Sequence, residues 1–428
     1  MASILIRTLQ RILPQPIWLA LRQRPIIQGH QRVADYWAPI IAQWEQGKLP
    51  HYTLQPKQDL PQGKVIWQYW GQGADAPDLP EVVRIGFASV DHFAGDYQVI
   101  RLSDATVRDY IDLPEFVWEK MRTNKAFNRT FFSDLLRVAL LATYGGVWLD
   151  ATILLSDPLP EAYTKADFFA FQRDPHEKDQ LLWRSTYYEY YGFKPSYKVR
   201  LLNSILFAKP NTPIINAMLD LLLDYWKRET DIIHYFFFQI LFHELVQVGP
   251  LRDHNYPVVS DILPHLIQKK IALPDYQRYS WTEALRVNTI HKLSYFNEPS
   301  LEKLREVLAK ELPELRTVAG LLDFSEELLL IATLDAMLSM DSANMHLASL
   351  VGVRCFSIWC CTHPAAGFLG IGQQLEDCLQ PEGMEHRPCS IFGDNKECHS
   401  EGLSCSEAMP SAQVVQHITA WADAQLHP

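Results

Sequence analysis

The stretch SDLLRVALLATYGGVWLDAT, Ser133 to Thr152, decides the fold. Its first half is apolar except for Asp134 and Arg137, which stand three residues apart and so share one face of a helix. Gly145 and Gly146 stop that helix. Val147, Trp148 and Leu149 then resume as a short buried strand, and Asp150 follows. Read through to Leu155, GVWLDATILL is one strand with its acid near the middle, and Ser133 caps the helix or opens its first turn.

Working outward, KVIWQYWGQG (Lys64 to Gly73) is a buried strand running into a glycine-containing loop, and YQVIRLSD (Tyr97 to Asp104) a second strand. FVWEKMRTN and RTFFSDLLRVALLATYGG are helices. ADFFAFQ and NSILFAKP are further strands, and TPIINAMLDLLLDYWKRE is an amphipathic helix. Strands alternating with helices predict an α/β fold with a mostly parallel sheet. Near Pro299 the chain turns charged, with SLEKLREVLAKELPEL capped by Ser300. A domain boundary is expected between Phe296 and Ser300. That gives three parts: a basic amphipathic segment (1–49), a main domain (50–297) and a C-terminal segment (298–428).

Composition bounds the function. The 428 residues are 48% hydrophobic and 21% charged, a folded chain with room for two or three domains. The net charge of -11 argues against nucleic acid as a partner. The first 34 residues carry five arginines and no acid. Their apolar runs are too short to span a bilayer and do not read as a signal peptide. They suit either a helical pair packed on the domain or peripheral contact with an anionic membrane surface. All seven cysteines lie after residue 354. With no disulfide framework in the main domain, the expected location is the cytoplasm, either free or peripheral at the inner membrane face.

In an open α/β sheet, ligands bind beyond the carboxyl ends of the strands. Asp150 stands near such a point. A carboxylate and a guanidinium on one helix face satisfy the hydroxyls of a polyhydroxylated ligand, and a nearby acid holds a divalent cation against a diphosphate. The same spacing also suits an internal salt bridge and a turn-capping acid. The residues alone leave both readings open.

KVIWQYWGQG, FSDLLRVALLATYGGVWLDAT and the later HKL (His291 to Leu293) together resemble the capsular polysaccharide synthesis proteins. These are akin to glycosyltransferases carrying an Asp-x-Asp motif and an SDLLR…YGG helix, among them mannosyltransferases and clostridial glucosylating toxins. The resemblance runs from about Pro50 to Phe296. It implies a GT-A-like nucleotide-sugar-binding domain, a nucleotide-sugar donor, Mn²⁺ or Mg²⁺, and retention of anomeric configuration. Carried over by position, Asp134, Arg137 and Asp150 are the catalytic set. Ile66, Trp67 and Gln68 border the base, and Asn203, His291 and Lys292 contact the donor. Asp150 and Thr152 would hold the metal, Thr152 standing where the strict motif has its second acid. A hydroxyl is a weaker ligand than a carboxylate, so either metal binding is weaker, or His291 completes the site, or Lys292 supplies part of the charge.

A second stretch, LDAMLSMDSANMHLASLVGVRCFSIW, reads as a strand (Met337 to Met340) ending at Asp341 and Ser342 before a helix from Ala343. Free N–H groups at such a helix start favour phosphate, and a simple N-cap explains the pattern equally. With THPAAGF and the tail it resembles the nucleotide-binding half of the ADP-heptose:lipopolysaccharide heptosyltransferases, from about Glu311 onward. That implies a partial Rossmann-like segment of the GT-B type, with Asp341, Ser342 and His346 at a second phosphate site. The segment is too short for the two domains of such an enzyme and reads as a fused fragment.

The aromatic runs YYEYYGF and YFFFQILFH suit core packing first and stacking on acceptor sugars second. Cys389, Cys398 and Cys405, with His399, lack the close cysteine pair usual at zinc sites. The chain is therefore expected to be a metal-assisted, retaining glycosyltransferase acting on a polysaccharide or lipid-linked acceptor. The alternatives are an ADP-heptose-using enzyme of lipopolysaccharide synthesis and a non-catalytic nucleotide- or carbohydrate-binding protein.

Overall fold

The computed structural model of the chain describes residues 14–254, 256–273, 276–312, 324–381, 383, 384, 387, 388, 405 and 408–426. They belong to two compact units, Met1–Thr317 and Val318–Pro428.

In the first unit, helix α1 (Gln15–Glu45) buries Leu19, Val33, Trp37, Ile40 and Ile41 along one stripe. Trp37 is fully buried, its ring 5.6 Å from Tyr225. Pro25 and Pro39 lie inside the helix and each removes one ladder N–H. The buried stripe continues past both, so one helix replaces the expected helical pair. Its apolar face belongs to the main core. Among the described residues no helix is long and apolar enough to cross a membrane. Arg7 and Arg11 lie outside the described residues.

Strand β1 (Val65–Tyr69) is buried throughout. Helix α2 (Glu81–Phe93) leads from it to β2 (Gln98–Leu102), which pairs with β1 in parallel. Asn128, not Ser133, caps α3 (Arg129–Tyr144), its side-chain oxygen accepting from Thr130 N at 2.9 Å. Ser133 lies inside α3 and donates to Thr130 O at 2.8 Å. Gly145 and Gly146 end the helix at φ +69° and +97°, in the left-handed region. A Cβ on Gly146 would stand 2.3 Å from Val65 O. Only glycine therefore lets β3 (Gly146–Leu149) run against β1, with Ile66 opposite Val147 and Trp67 opposite Trp148.

GVWLDATILL is not one strand. β3 ends at Leu149, residues 150–152 turn, and β4 (Ile153–Leu155) follows. The turn is closed by Ile153 N donating to Asp150 O at 2.9 Å. Strands β5 (Phe168–Gln172) and β6 (Leu201–Ala208) complete a five-stranded sheet in the order β2-β1-β3-β6-β5. β6 runs antiparallel to both β3 and β5. Four of the five strands therefore run in one direction and β6 alone opposes them, so the sheet is mostly parallel in strand direction, with one reversed strand between β3 and β5.

Helix α4 (Pro213–Arg228) and α5 (Phe237–His243) pack into the same core as α1 and α3. After α6 (Leu266–Ala272), β7 (Ile290–Lys292) pairs antiparallel with β4, placing Lys292 opposite Ile153. Helix α7 (Glu298–Glu311) is capped by Asn297 rather than Ser300, and its Leu304 and Leu308 enter the main core. The unit therefore extends to Thr317, past the boundary expected at Phe296 to Ser300.

In the second unit, β8 (Ala336–Met340), β9 (Arg354–Ile358) and β10 (Cys378–Leu379) form a parallel sheet in the order β10-β9-β8. Helix α8 (Ala343–Leu350) connects β8 to β9 and buries Met345 and Ala348. The expected strand, turn and helix around Asp341 are all present.

Candidate active site

A cavity of about 590 Å³ opens beside the turn between β3 and β4. The turn supplies Asp150 and Thr152, α3 supplies Ser133, Asp134 and Arg137, and β6 supplies Asn203. Lys292 closes one side, and the end of β1 at Tyr69 with the loop that follows, Trp70 to Gln72, closes another.

These side chains form one connected chain of contacts. Asn203 Nδ2 donates to Asp134 Oδ1 at 2.8 Å, and Arg137 Nη1 donates to the same oxygen. Arg137 Nη2 reaches Asp150 Oδ1 at 3.2 Å, and Trp148 Nε1 donates to that oxygen at 2.8 Å. The guanidinium lies over the Trp148 ring, 5.2 Å from its centre. Lys292 Nζ contacts Asp150 Oδ2 at 3.3 Å and Thr152 Oγ1 at 2.6 Å. Asp134 and Arg137 are almost fully buried, while the Asp150 side chain keeps 27% exposure toward the cavity. Burial pushes the Asp134 carboxyl up to about 6, against the opposing pull of Arg137.

The three-residue spacing on α3 thus does two things at once. It pairs Asp134 with Arg137, and it aims Arg137 across the sheet at Asp150. The internal salt bridge and the cavity-facing acid belong to one arrangement. Two carboxylates meet two cations, and both acids line the cavity, Asp150 being the more exposed of the two.

Of the residues expected at the donor, Asp134, Arg137, Asp150, Thr152, Asn203 and Lys292 come together. Ile66, Trp67 and Gln68 do not line the cavity. They are fully buried in β1, and the loop that follows them takes their place. The open-sheet rule points past the strand's carboxyl end and so to Trp70, Gly71 and Gln72. His291 is also fully buried, with Nε2 2.8 Å from Ser156 Oγ, and burial pushes its imidazole down to about 3. It neighbours Lys292 in β7 but lies outside the cavity lining. Arg129, held by Asp104 at 2.8 Å, and the exposed Tyr295 also line the cavity. Sequence reasoning missed both. For Tyr295 the signal was an aromatic side chain in a loop three residues past Lys292.

These residues suit a resident divalent cation poorly. The place between Asp150 and Thr152 holds the Lys292 ammonium, and Asp150 faces Arg137 on its other side. Asp134 is already engaged by Arg137 and Asn203. Among the described residues no three His, Cys, Asp or Glu side chains gather in a metal-holding group.

In the second unit, Asp341 accepts from Thr362 Oγ1, Ser342 precedes α8, and His346 is exposed on that helix. Cys389, Cys398 and His399 lie outside the described residues. Cys405 is buried.

Residues 18–311 match the capsular polysaccharide synthesis protein family. The chain belongs to that family. As a capsular polysaccharide synthesis protein it is a glycosyltransferase. The match takes in α1 and α7, beyond the limits at Pro50 and Phe296 suggested by motifs, and ends before the second unit. No curated protein matches the chain. Among solved structures, it is similar to the PaToxG glycosyltransferase at 12% identity, covering 71% of this chain and 93% of that one, with a TM-score of 0.26. A glycosyltransferase involved in glycosylation of the major capsid of PBCV-1 shows 10% identity over 57% of this chain and 98% of that one, with a TM-score of 0.30.

Proposed function

We propose that this capsular polysaccharide synthesis protein transfers a sugar from a nucleotide-sugar donor to a growing surface polysaccharide. The observation that carries the reading is the linked set Asp134, Arg137, Asp150 and Lys292 at one cavity wall. Asp134 and Asn203 present acceptor and donor groups to the sugar hydroxyls. Lys292 and Arg137 face the leaving diphosphate, and Asp150 holds both cations in place before the donor arrives. Preorganised positive charge of this kind stabilises the anion that develops as the bond breaks.

The bond between the anomeric carbon and the diphosphate oxygen breaks, and its electron pair leaves with the nucleoside diphosphate. An acceptor hydroxyl oxygen bonds to the anomeric carbon, and its proton passes to the departing phosphate. Proton transfer to the leaving group, on the same face as attack, gives retention of configuration. No step here calls on a bound metal.

The test is a thermal-shift panel of nucleoside diphosphates and nucleotide sugars on wild type and Asp150→Ala, with Mn²⁺ or with chelator. Binding to the native state raises the melting temperature by mass action. A shift with one base, lost in Asp150→Ala, is expected. No shift with any nucleotide, or a shift insensitive to Asp150, overturns the assignment.

A further inference from the structure

A second cavity of about 760 Å³ lies against the first. The two share Asp150, Asn203, Gln239, Tyr235 and Lys292 as a common wall. A transferase needs two compartments meeting at one reacting centre, and the two cavities differ in chemistry. The first is rimmed by Arg129, Ser133 and Arg137. The second is lined by aromatic rings, with Trp183, Tyr190 and Tyr191 buried and Tyr187 and Tyr235 exposed at its edge.

Two buried polar groups in that second lining lack a partner, and a lysine without a carboxylate stands beside them. Ser204 Oγ and Gln239 Oε1 have no hydrogen-bond partner, although both residues are at least nine-tenths buried. Lys269 is 8% exposed; among the described residues its ammonium makes no ion pair or hydrogen bond, and it rests over the Trp183 ring at 4.5 Å. A cation at a cavity wall with no carboxylate beside it is open to an anionic ligand, and the low exposure around it strengthens that pairing.

We infer that the second cavity is the acceptor subsite and takes an acidic saccharide, one bearing a carboxylate or a phosphate, with Lys269 on the anion and the tyrosines against the ring. Faces of aromatic rings suit the apolar faces of sugars, and Ser204 and Gln239 then find their partners in hydroxyls. A neighbouring cavity of about 540 Å³ shares Tyr187, Tyr235 and Phe236 and reaches Arg32 on α1. A chain of residues longer than one sugar therefore has somewhere to run. The inference rests on the glycosyltransferase reading and names the acceptor class for it.

Saturation-transfer NMR on the full chain tests it, with the donor cavity first filled by the nucleoside diphosphate that gives the thermal shift. The probes are methyl glucuronide, glucose 6-phosphate and neutral methyl glucoside. The acidic probes are expected to bind more tightly than the neutral one. Lys269→Met, which keeps the packing on Trp183, should weaken them by about tenfold or more and leave the neutral probe unchanged. Tyr187→Ala, at an exposed position that tolerates truncation, should weaken all three. The contrast between the carboxylate and phosphate probes tells which anion the site takes. Equal binding of acidic and neutral probes, acidic binding unchanged in Lys269→Met, or displacement of the probes by the nucleotide would overturn the inference. Failure of the nucleotide shift itself would instead sink the donor assignment, and the Lys269→Met comparison would still decide the cavity.

Discussion

Lys292 and Thr152 meet at 2.6 Å, ammonium to hydroxyl, across 140 positions of sequence. The contact puts a fixed positive charge beside Asp150, where related motifs imply a second acid and a metal. It follows that nucleoside diphosphate binding persists in chelator. Lys292→Met should weaken it by about tenfold or more, and Lys292→Arg should keep most of it. Titration calorimetry with EDTA and with Mn²⁺ measures this. Binding that demands Mn²⁺ and ignores Lys292→Met would refute it.

Asp150 touches both cations and still faces the cavity, so its charge organises the site more than it supports the fold. Asp150→Asn should lower sugar transfer by about 100- to 1,000-fold, the scale of losing one preorganised electrostatic group. Its unfolding free energy should stay within about 1 kcal/mol of wild type, as for other partly exposed ion pairs. Radiolabelled transfer assays and urea unfolding read the two quantities separately.

Asp134 makes a prediction with a defined sign. Burial raises its carboxyl from 3.8 to about 6, so the folded state favours the protonated form. The stability this contributes is present below pH 4 and is lost as pH rises through 6. Relative to Asp134→Asn, wild type should lose up to about 3 kcal/mol across that window. Urea unfolding of both proteins at pH 4 and pH 7 checks it. In activity the order reverses: the carboxylate form receives the sugar hydroxyls, so kcat/KM should climb near pH 6 in wild type and lose that limb in the variant.

Gly86 lies on α2, facing the turn that carries Asp150. A Cβ there would stand 2.8 Å from both Ala151 O and Ile153 O. Backbone on two sides cannot yield as a side chain does. Gly86→Ala should cost about 1–3 kcal/mol and shift the turn, lowering transfer although Gly86 lies outside the cavity. Melting curves and transfer rates together test this, and an unchanged transfer rate would mean that the turn does not depend on α2.

Much of the site was legible at short range. Asp134 and Arg137 share a face because a helix repeats every 3.6 residues, and the glycine pair marked the switch from α3 to β3. Trp37 shows what local reading misses: the short apolar runs suited a helical pair, while one helix runs on through Pro25 and Pro39 and buries this ring in the core. Ile66 to Gln68 failed for a related reason. Residues inside a central strand are covered on both faces, so the cavity is lined by the residues at and beyond its carboxyl end.

The sequence by itself determined the helix with its Asp–Arg pair, the glycine stop, the strand that follows and the strand–turn–helix around Asp341. These are set by neighbours within a few residues. Tertiary structure alone decided that Asp150 sits in a turn, that Asn203 reaches Asp134, and that Lys292 rather than His291 meets Asp150. Side chains in a strand alternate between faces. The pairing of β4 with β7 therefore sends His291 into the core and Lys292 to the cavity, and a shift of one residue would exchange them.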